Sequence, residues 1–247
     1  MPFRRGVAGK LCYPQGIMRE PNHSIDLSSP SGGAYVHVVR LETMTYEDAL
    51  TEQRRLHRAR VLDEVTDTLL LVEHPHVYTL GRNSDPRHIL ADDETLRRRG
   101  VGVCRTERGG EVTYHGPGQL IAYPIIKLQP PERSIKLLVT RMEEAIIRTV
   151  AEWSITARRD DSDRGVWVGE RKIASIGMSL RGWVVLHGMA LNVRPDMSYF
   201  GHINPCGHQD LRMTSMAMES DRPVDVGQVG RAFARQFSAV FDRAPID

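Results

Sequence analysis

The chain has 247 residues, a formal net charge of +2, 40% hydrophobic and 26% charged residues. That is long enough to bury a core, and the balance is that of an ordinary water-soluble globular protein. No run of about 18 apolar residues offers a bilayer span, and the arginines are scattered among acids instead of forming one basic tract, which argues against membrane or nucleic acid as partner.

The three cysteines, Cys12, Cys104 and Cys206, are odd in number and far apart, so they do not read as a disulfide framework. Reduced thiols imply a cytoplasmic protein. Arg4, Arg5 and Lys10 are followed by Gly, Pro and polar residues, so no secretory signal is expected. Residues 1–33, with Pro2, Pro14, Pro21 and Pro30 and the stretch Ser28-Ser29-Pro30-Ser31-Gly32-Gly33, read as a poorly ordered extension.

From there the expected elements begin with a strand from Tyr35 to Leu41. Thr45 and Asp48 then mark the start of an amphipathic helix carrying Tyr46, Ala49, Leu50, Gln53, Leu56, Ala59 and Leu62 at helical spacing. The run Leu69-Leu70-Leu71-Val72 suits a central strand covered on both faces, ended by His74-Pro75-His76. Asp92 to Arg99 predicts a short helix closed by Gly100, and Val101 to Arg105 a strand in which Cys104 is a small core residue. A strand follows from Leu120 to Leu128, then a helix from a Ser134 cap to Trp153 and a polar loop from Arg158 to Arg164. Three close strands come next: Gly165 to Val168, Arg171 to Leu180 and Trp183 to Val193, with turns at Gly169-Glu170 and Arg181-Gly182. Arg194 to Asn204 reads as loop, Thr214 to Met218 as a helical turn and Val226 to Phe241 as a last amphipathic helix. The simplest organisation is one α+β domain over residues 34–247, with a small C-terminal lobe possible near residue 204.

Four stretches carry chemistry. Arg108-Gly109-Gly110-Glu111-Val112-Thr113-Tyr114-His115-Gly116-Pro117-Gly118-Gln119 is dense in Gly and Pro around a short alternating strand. It matches neither phosphate-cradling fingerprint, so it reads as tight turns or as backbone brought close to a ligand. In the strand from Lys172, alternation puts Lys172 on one face with Ala174, Ile176 and Met178, a lysine against an apolar wall that keeps its charge beside a thiolate. In the next strand alternation groups Leu186, Gly188, Ala190 and Asn192, turns His187 to the opposite side, and leaves a slot at Gly188 and Ala190 for a slender alkyl chain. Pro205-Cys206-Gly207 sets a thiol on a tight turn. His74 and His76, or His202, Cys206 and His208, invite a metal reading, but neither set completes a ligand shell, and no metal is expected. Arg97-Arg98-Arg99 and Arg54, Arg55, Arg58 and Arg60 read as solvated helix faces, with docking of an acidic partner as the alternative.

These segments, with Arg171 to Gly177, Leu186 to Asn192 and Ile203 to Gly207, resemble in order and spacing the octanoyltransferases of lipoate biosynthesis, over residues from about 35 to 240. The resemblance implies the α+β fold of lipoate and biotin protein ligases, a mixed β-sheet packed against helices. It implies that Cys206 forms an acyl thioester, that Lys172 activates it, and that Arg108, Gly109, Gly110, Glu111, Val112, Thr113, Tyr114 and His115, then Ser175, Ile176 and Gly177, then Gly188, Met189 and Ala190 line the acyl pocket. It further implies octanoyl-acyl carrier protein as donor. The acceptors would be lipoyl domains of 2-oxoacid dehydrogenase complexes and the glycine cleavage H protein.

The chemistry of such a transfer needs no ATP or other cofactor, because thioester exchange is nearly balanced and amide formation from a thioester is downhill. A thiol near pKa 8.5 is a few per cent thiolate at pH 7, so a cationic neighbour raises the reactive fraction by up to about thirtyfold. Backbone N–H groups at Gly207 are candidate oxyanion donors. Two readings compete: an ATP-dependent lipoate ligase of the same fold, with no use for Cys206, and a Cys/His thioesterase with His115 or His208 as base. On the sequence alone His115 fits a pocket wall better than a base.

Overall fold

The computed structural model describes residues 34–161, 163–204 and 211–246. The 1–33 extension lies outside them. Strand β1 (Tyr35–Arg40) leads through Thr45 into helix α1 (Tyr46–Val61), where the Thr45 hydroxyl accepts from the Asp48 amide at 3.2 Å, capping an orphan donor of the first turn. Tyr46, Ala49, Leu50, Gln53 and Leu56 are buried as the spacing predicts, but Leu62 falls past the helix end and is 67% exposed. Strand β2 (Asp67–Val72) is buried at every position, since strands run on both sides of it and helices cover both faces.

The main sheet has eight strands in the order β11-β1-β2-β6-β10-β9-β8-β7. It comprises β6 (Gln119–Ile125), β7 (Arg158–Arg159), β8 (Val166–Val168), β9 (Arg171–Arg181), β10 (Val184–Asn192) and β11 (Ala244–Ile246) besides β1 and β2. β11, β1 and β2 pair in parallel, and every later neighbour is antiparallel, so the sheet is mixed as expected. Helix α3 (Ile135–Ala151), capped by Ser134, and α5 (Val226–Phe241), capped by Asp225, cover one face through Leu69, Leu71, Ala122 and Met189. Helix α1 covers the other through Leu70, Val72, Ile121, Tyr123 and Ala190. Adjacent residues of one strand thus feed opposite layers.

A second sheet, β4-β3-β5, holds β3 (Val77–Leu80), β4 (Gly102–Arg105) and β5 (Val112–His115). There are also the short helices α2 (Asp93–Arg98), which closes on Gly100 at φ 64°, and α4 (Met216–Glu219), and 3-10 helices at Pro86–His88, Pro130–Glu132 and Met197–His202, the last within the stretch expected to be loop. Strands β3, β7 and β11 were not expected. β3 is four residues behind His-Pro-His, β7 is two residues in a polar loop, and β11 carries Pro245, so none shows a period of its own. The turn after β9 is Gly182-Trp183, both at positive φ, one residue later than expected. A separate C-terminal lobe is not what forms: β11 joins the main sheet beside β1, and buried Arg243 binds Asp67 at 2.6 Å and Glu132 at 2.9 Å.

Candidate active site

Between β9, β10, β5 and the first turns of α1 and α3 lies a cavity of about 360 Å³. Lys172, every residue from Arg108 to His115 except Tyr114, all of Ser175 to Gly177 and all of Gly188 to Ala190 line it. Segments from three of the four stretches singled out in the sequence therefore meet around one space. Tyr114 is the correction: it is wholly buried on the other side of β5, packed on Tyr199 at 5.0 Å and Phe200 at 5.2 Å, because alternation turns it away from its neighbours Thr113 and His115.

Lys172 is 1% exposed, and its Nζ donates to Asp163 Oδ2 at 2.9 Å and lies 5.3 Å from the centre of the Trp167 ring. A buried ammonium requires this kind of compensation. Gly165 makes it possible: a Cβ there would sit 2.6 Å from Lys172 Cε and collide with the Ala174 carbonyl oxygen, and its φ of 133° also favours glycine. Asp163 and Gly165 escape sequence reasoning, since the run from Arg158 to Arg164 shows only a polar loop. Asp163→Asn is expected to lower stability by about 1–3 kcal/mol, less than for a fully buried pair because Asp163 is part-exposed, as read by urea denaturation.

Arg108 holds the Gly-rich loop in place. Its guanidinium donates to the Thr79 carbonyl at 2.6 Å, to Thr79 Oγ1 at 2.9 Å and to the Gly109 carbonyl at 3.0 Å, while the Gly109 amide reaches the Met178 carbonyl at 3.3 Å. The loop is thereby pinned between β3 and β9. Gly177 has no room for a side chain, as a Cβ would approach the Gly109 oxygen to 2.9 Å.

Two histidines back the cavity, both neutral. His74 Nδ1 donates to the Met44 carbonyl at 2.7 Å and Nε2 accepts from the Tyr123 hydroxyl at 2.8 Å, and burial lowers its pKa to about 4. His115 lies on the Tyr46 ring and next to His74; burial first, then the cost of a second positive charge beside the His74 ring and the Arg108 guanidinium, holds its pKa well below the usual value. Gln119 Nε2 donates to Tyr114 O and Asn192 Oδ1, so Gln119 Oε1 accepts from His115 Nδ1 at 3.4 Å. Asn192 in turn donates to the Thr214 carbonyl, whose amide bonds the Lys172 carbonyl at 2.9 Å. His76 Nδ1 is 2.8 Å from the Tyr114 hydroxyl.

The expected slot is corrected in two ways. His187 has φ 62°, which breaks the alternation of β10 and brings its ring into the cavity lining with Gly188. Gly188 is small for the sake of the sheet: a Cβ would collide with the Ala122 carbonyl oxygen of β6 and press on Pro124 at 2.9 Å. Gly188→Ala is expected to cost about 1–3 kcal/mol by overpacking, read as a lower urea midpoint. Cys104 is half-buried beside Tyr46 and Leu50, less enclosed than expected. Of the arginines on α1, Arg54 binds Glu107 at 2.9 Å, Arg55 binds Glu52 at 2.7 Å and Arg60 binds Asp67 at 2.7 Å, so that face is largely charge-balanced.

Cys206, with Gly207 and His208, lies outside the described residues, and so does the test of the His202, Cys206, His208 set. The chain on either side is fixed. The Asn204 amide bonds the His88 carbonyl at 2.8 Å, and the Lys172 amide bonds the Arg212 carbonyl at 2.9 Å.

Residues 45–238 match the family model described as the lipoyl protein ligase A/B catalytic domain. An octanoyltransferase of Solibacter usitatus is 47% identical over 203 residues, covering 82% of this chain and 91% of that one. An octanoyltransferase of Syntrophobacter fumaroxidans is 41% identical over 206 residues, covering 83% and 90%. Among solved structures, a putative lipoate protein ligase from T. acidophilum with bound lipoic acid superposes with a TM-score of 0.68 at 17% identity, covering 86% of this chain and 88% of that one. A lipoate-protein ligase A bound with ATP gives 0.67 at 16%, covering 87% and 90%. These two establish the shared fold.

Proposed function

The chain belongs to the lipoyl protein ligase A/B catalytic family and is an octanoyltransferase acting in protein lipoylation, and we propose that it carries the octanoyl group as a thioester on Cys206. The donor in this reading is octanoyl-acyl carrier protein. The acceptors are lysines of the lipoyl domains of 2-oxoacid dehydrogenase complexes and of the glycine cleavage H protein. The reaction is placed in the cytoplasm, and residues 34–247 act as one catalytic domain.

The observation that supports the mechanism is the meeting of three motif segments, Arg108 to His115, Lys172 to Gly177 and Gly188 to Ala190, around one cavity with the buried ammonium of Lys172 in its wall. Arg212 and Thr214 hydrogen-bond to the Lys172 backbone, and Arg212 stands six positions after Cys206 in sequence, a span of at most about 20 Å for an extended chain. In the first half-reaction the Cys206 thiolate attacks the donor thioester carbonyl. The carrier's sulfur leaves and takes a proton that Lys172 supplies. In the second, the acceptor amine attacks the enzyme thioester, its proton passes to Lys172, and Cys206 departs as thiolate. A single cavity thus serves two protein partners in turn, because the acyl group stays behind when the carrier leaves.

A Cys/His hydrolase is less well supported. Burial holds the His115 pKa well below its ordinary value and keeps the ring neutral, which makes it a weak base, while His208, the other candidate base, lies outside the described residues. The test is an intact-mass measurement after mixing the enzyme with octanoyl-acyl carrier protein, followed by addition of an apo lipoyl domain. A hydroxylamine-labile octanoyl adduct on Cys206 that is lost to the domain is the expected result. No adduct, or a requirement for ATP, would sink the thioester mechanism, and release of free octanoate would favour the hydrolase.

A further inference from the structure

The acceptor of this transfer is a lysine amine, and its protons do not balance on Lys172 alone. With a pKa near 10.4, a lysine side chain at pH 7 is an ammonium in all but about one copy in 2,500. Becoming an amide nitrogen removes two protons from it. Lys172, having given one proton to the departing carrier sulfur, can take one back. The other needs a second acceptor at the site. His115 and His187 are poor candidates, since burial lowers the pKa of both and the ring nitrogens of His187 are shut off from the cavity.

Among the described residues the cavity lining holds two carboxylates, and Asp163 is bonded to Lys172, which leaves Glu111. Glu111 follows the Gly-rich turn, where Gly110 takes φ 86° and Arg108 ties the loop to Thr79, and it stands just ahead of β5. His88 Nδ1 donates to Glu111 Oε2 at 3.1 Å, and Oε1 has no hydrogen-bond partner among the described residues. The other charges of the His88 turn, Asp85 and Arg87, bond to each other at 2.5 Å. The Glu111 side chain is 25% exposed, so a cation arriving from solvent can reach it. The His88 carbonyl accepts from the amide of Asn204, two positions before Cys206 in sequence, and the Lys172 amide bonds Arg212, six positions after it. The Glu111–His88 pair and Lys172 are therefore tied to the described segments on either side of the nucleophile.

We propose that Glu111 is a further catalytic residue of the transfer, whose carboxylate receives the ammonium of the acceptor lysine and takes one proton from it at Oε1, with His88 as the positioning residue that holds the carboxylate. The proposal rests on the reading of this cavity as the acyl-transfer site. An N–H bond of the ammonium breaks and an O–H bond forms on Glu111. The freed amine attacks the carbonyl of the enzyme thioester, its second proton goes to Lys172, and Cys206 leaves as thiolate. The proton on Glu111 then passes to solvent, and the carboxylate is restored for the next acceptor.

The two half-reactions are measured separately on the full chain by intact mass. The enzyme is charged with octanoyl-pantetheine, and the octanoyl-enzyme is discharged at pH 7 either by an apo lipoyl domain or by hydroxylamine, a nucleophile already uncharged at that pH. Glu111→Gln should slow discharge to the domain about a hundredfold more than it slows charging or discharge to hydroxylamine. The gap should narrow as pH rises toward 10, where the acceptor amine loses its proton to solvent unaided. His88→Ala should show a weaker form of the same split, and His88→Asn, which keeps an N–H donor, should recover part of the loss. Equal slowing of all three reactions, or slowing of none, would overturn the role of Glu111 while leaving the acyl reading intact. No octanoyl adduct on the native chain would overturn both. Glu111→Ala is the second variant should the first fail to fold: added acetate should restore transfer to the domain severalfold without speeding discharge to hydroxylamine, and no such restoration removes Glu111 as the base.

Discussion

Cys206→Ala is expected to transfer octanoate at least about a thousandfold more slowly than the native chain, the scale of loss seen when a covalent nucleophile is removed from an otherwise intact site. Without the thiol, the acceptor amine would have to attack the carrier-bound thioester directly. That demands two protein partners at one cavity mouth together, whereas the covalent route needs them only in succession. The measurement is the rate of lipoyl-domain octanoylation, followed by mass at fixed carrier concentration, with melting temperature as the control for folding. A variant that keeps more than a tenth of the native rate would remove the thioester intermediate from the mechanism. A residual rate that depends on ATP would instead assign the chemistry to an adenylate route, for which Cys206 has no use.

Much of this architecture is legible in the residues, and the failures have local causes. Helices α1 and α3 announce themselves by Thr45 and Ser134 caps followed by apolar spacing, α5 by apolar spacing alone, and β2 by an unbroken apolar run, because one local signal fixes each. The cavity segments are visible as Gly-rich or alternating stretches. What places them together is tertiary: the Arg108 guanidinium on Thr79, and the close approach of Gly177 to the Gly109 carbonyl, involve residues far apart in the chain. His187 shows the limit of periodicity most clearly. Strict alternation assigns it to the face away from Gly188, and a single positive φ reverses that assignment. Asp163 sits in a polar run with no period to read, and Gly165, at the start of the expected strand, shows nothing of its contact with Lys172 in the sequence.

Lys172→Met, close to lysine in length but uncharged, is expected to slow acylation by about a hundredfold to a thousandfold and to move its pH dependence upward. Two effects multiply. Loss of the cation removes up to about thirtyfold in thiolate fraction at neutral pH, and loss of the proton donor removes further rate from departure of the carrier sulfur. The sign follows from the first effect: a thiolate without a cationic neighbour forms at higher pH, so the rise of rate with pH shifts toward the free-thiol value near 8.5. A purely structural role for Lys172 predicts otherwise. The side chain is enclosed by Asp163, Trp167 and Gly165, so methionine would leave Asp163 without its ammonium and lower stability, yet the pH profile of whatever enzyme remained folded would be unmoved. Measuring kcat/KM for octanoyl-pantetheine from pH 6 to 10 in the native chain, Lys172→Met and Asp163→Asn separates these outcomes. Asp163→Asn should keep the native pH profile shape at reduced rate, because it retains the cation and loses only its anchor. An identical profile in Lys172→Met would assign the lysine to packing alone and leave the activation of Cys206 to another group.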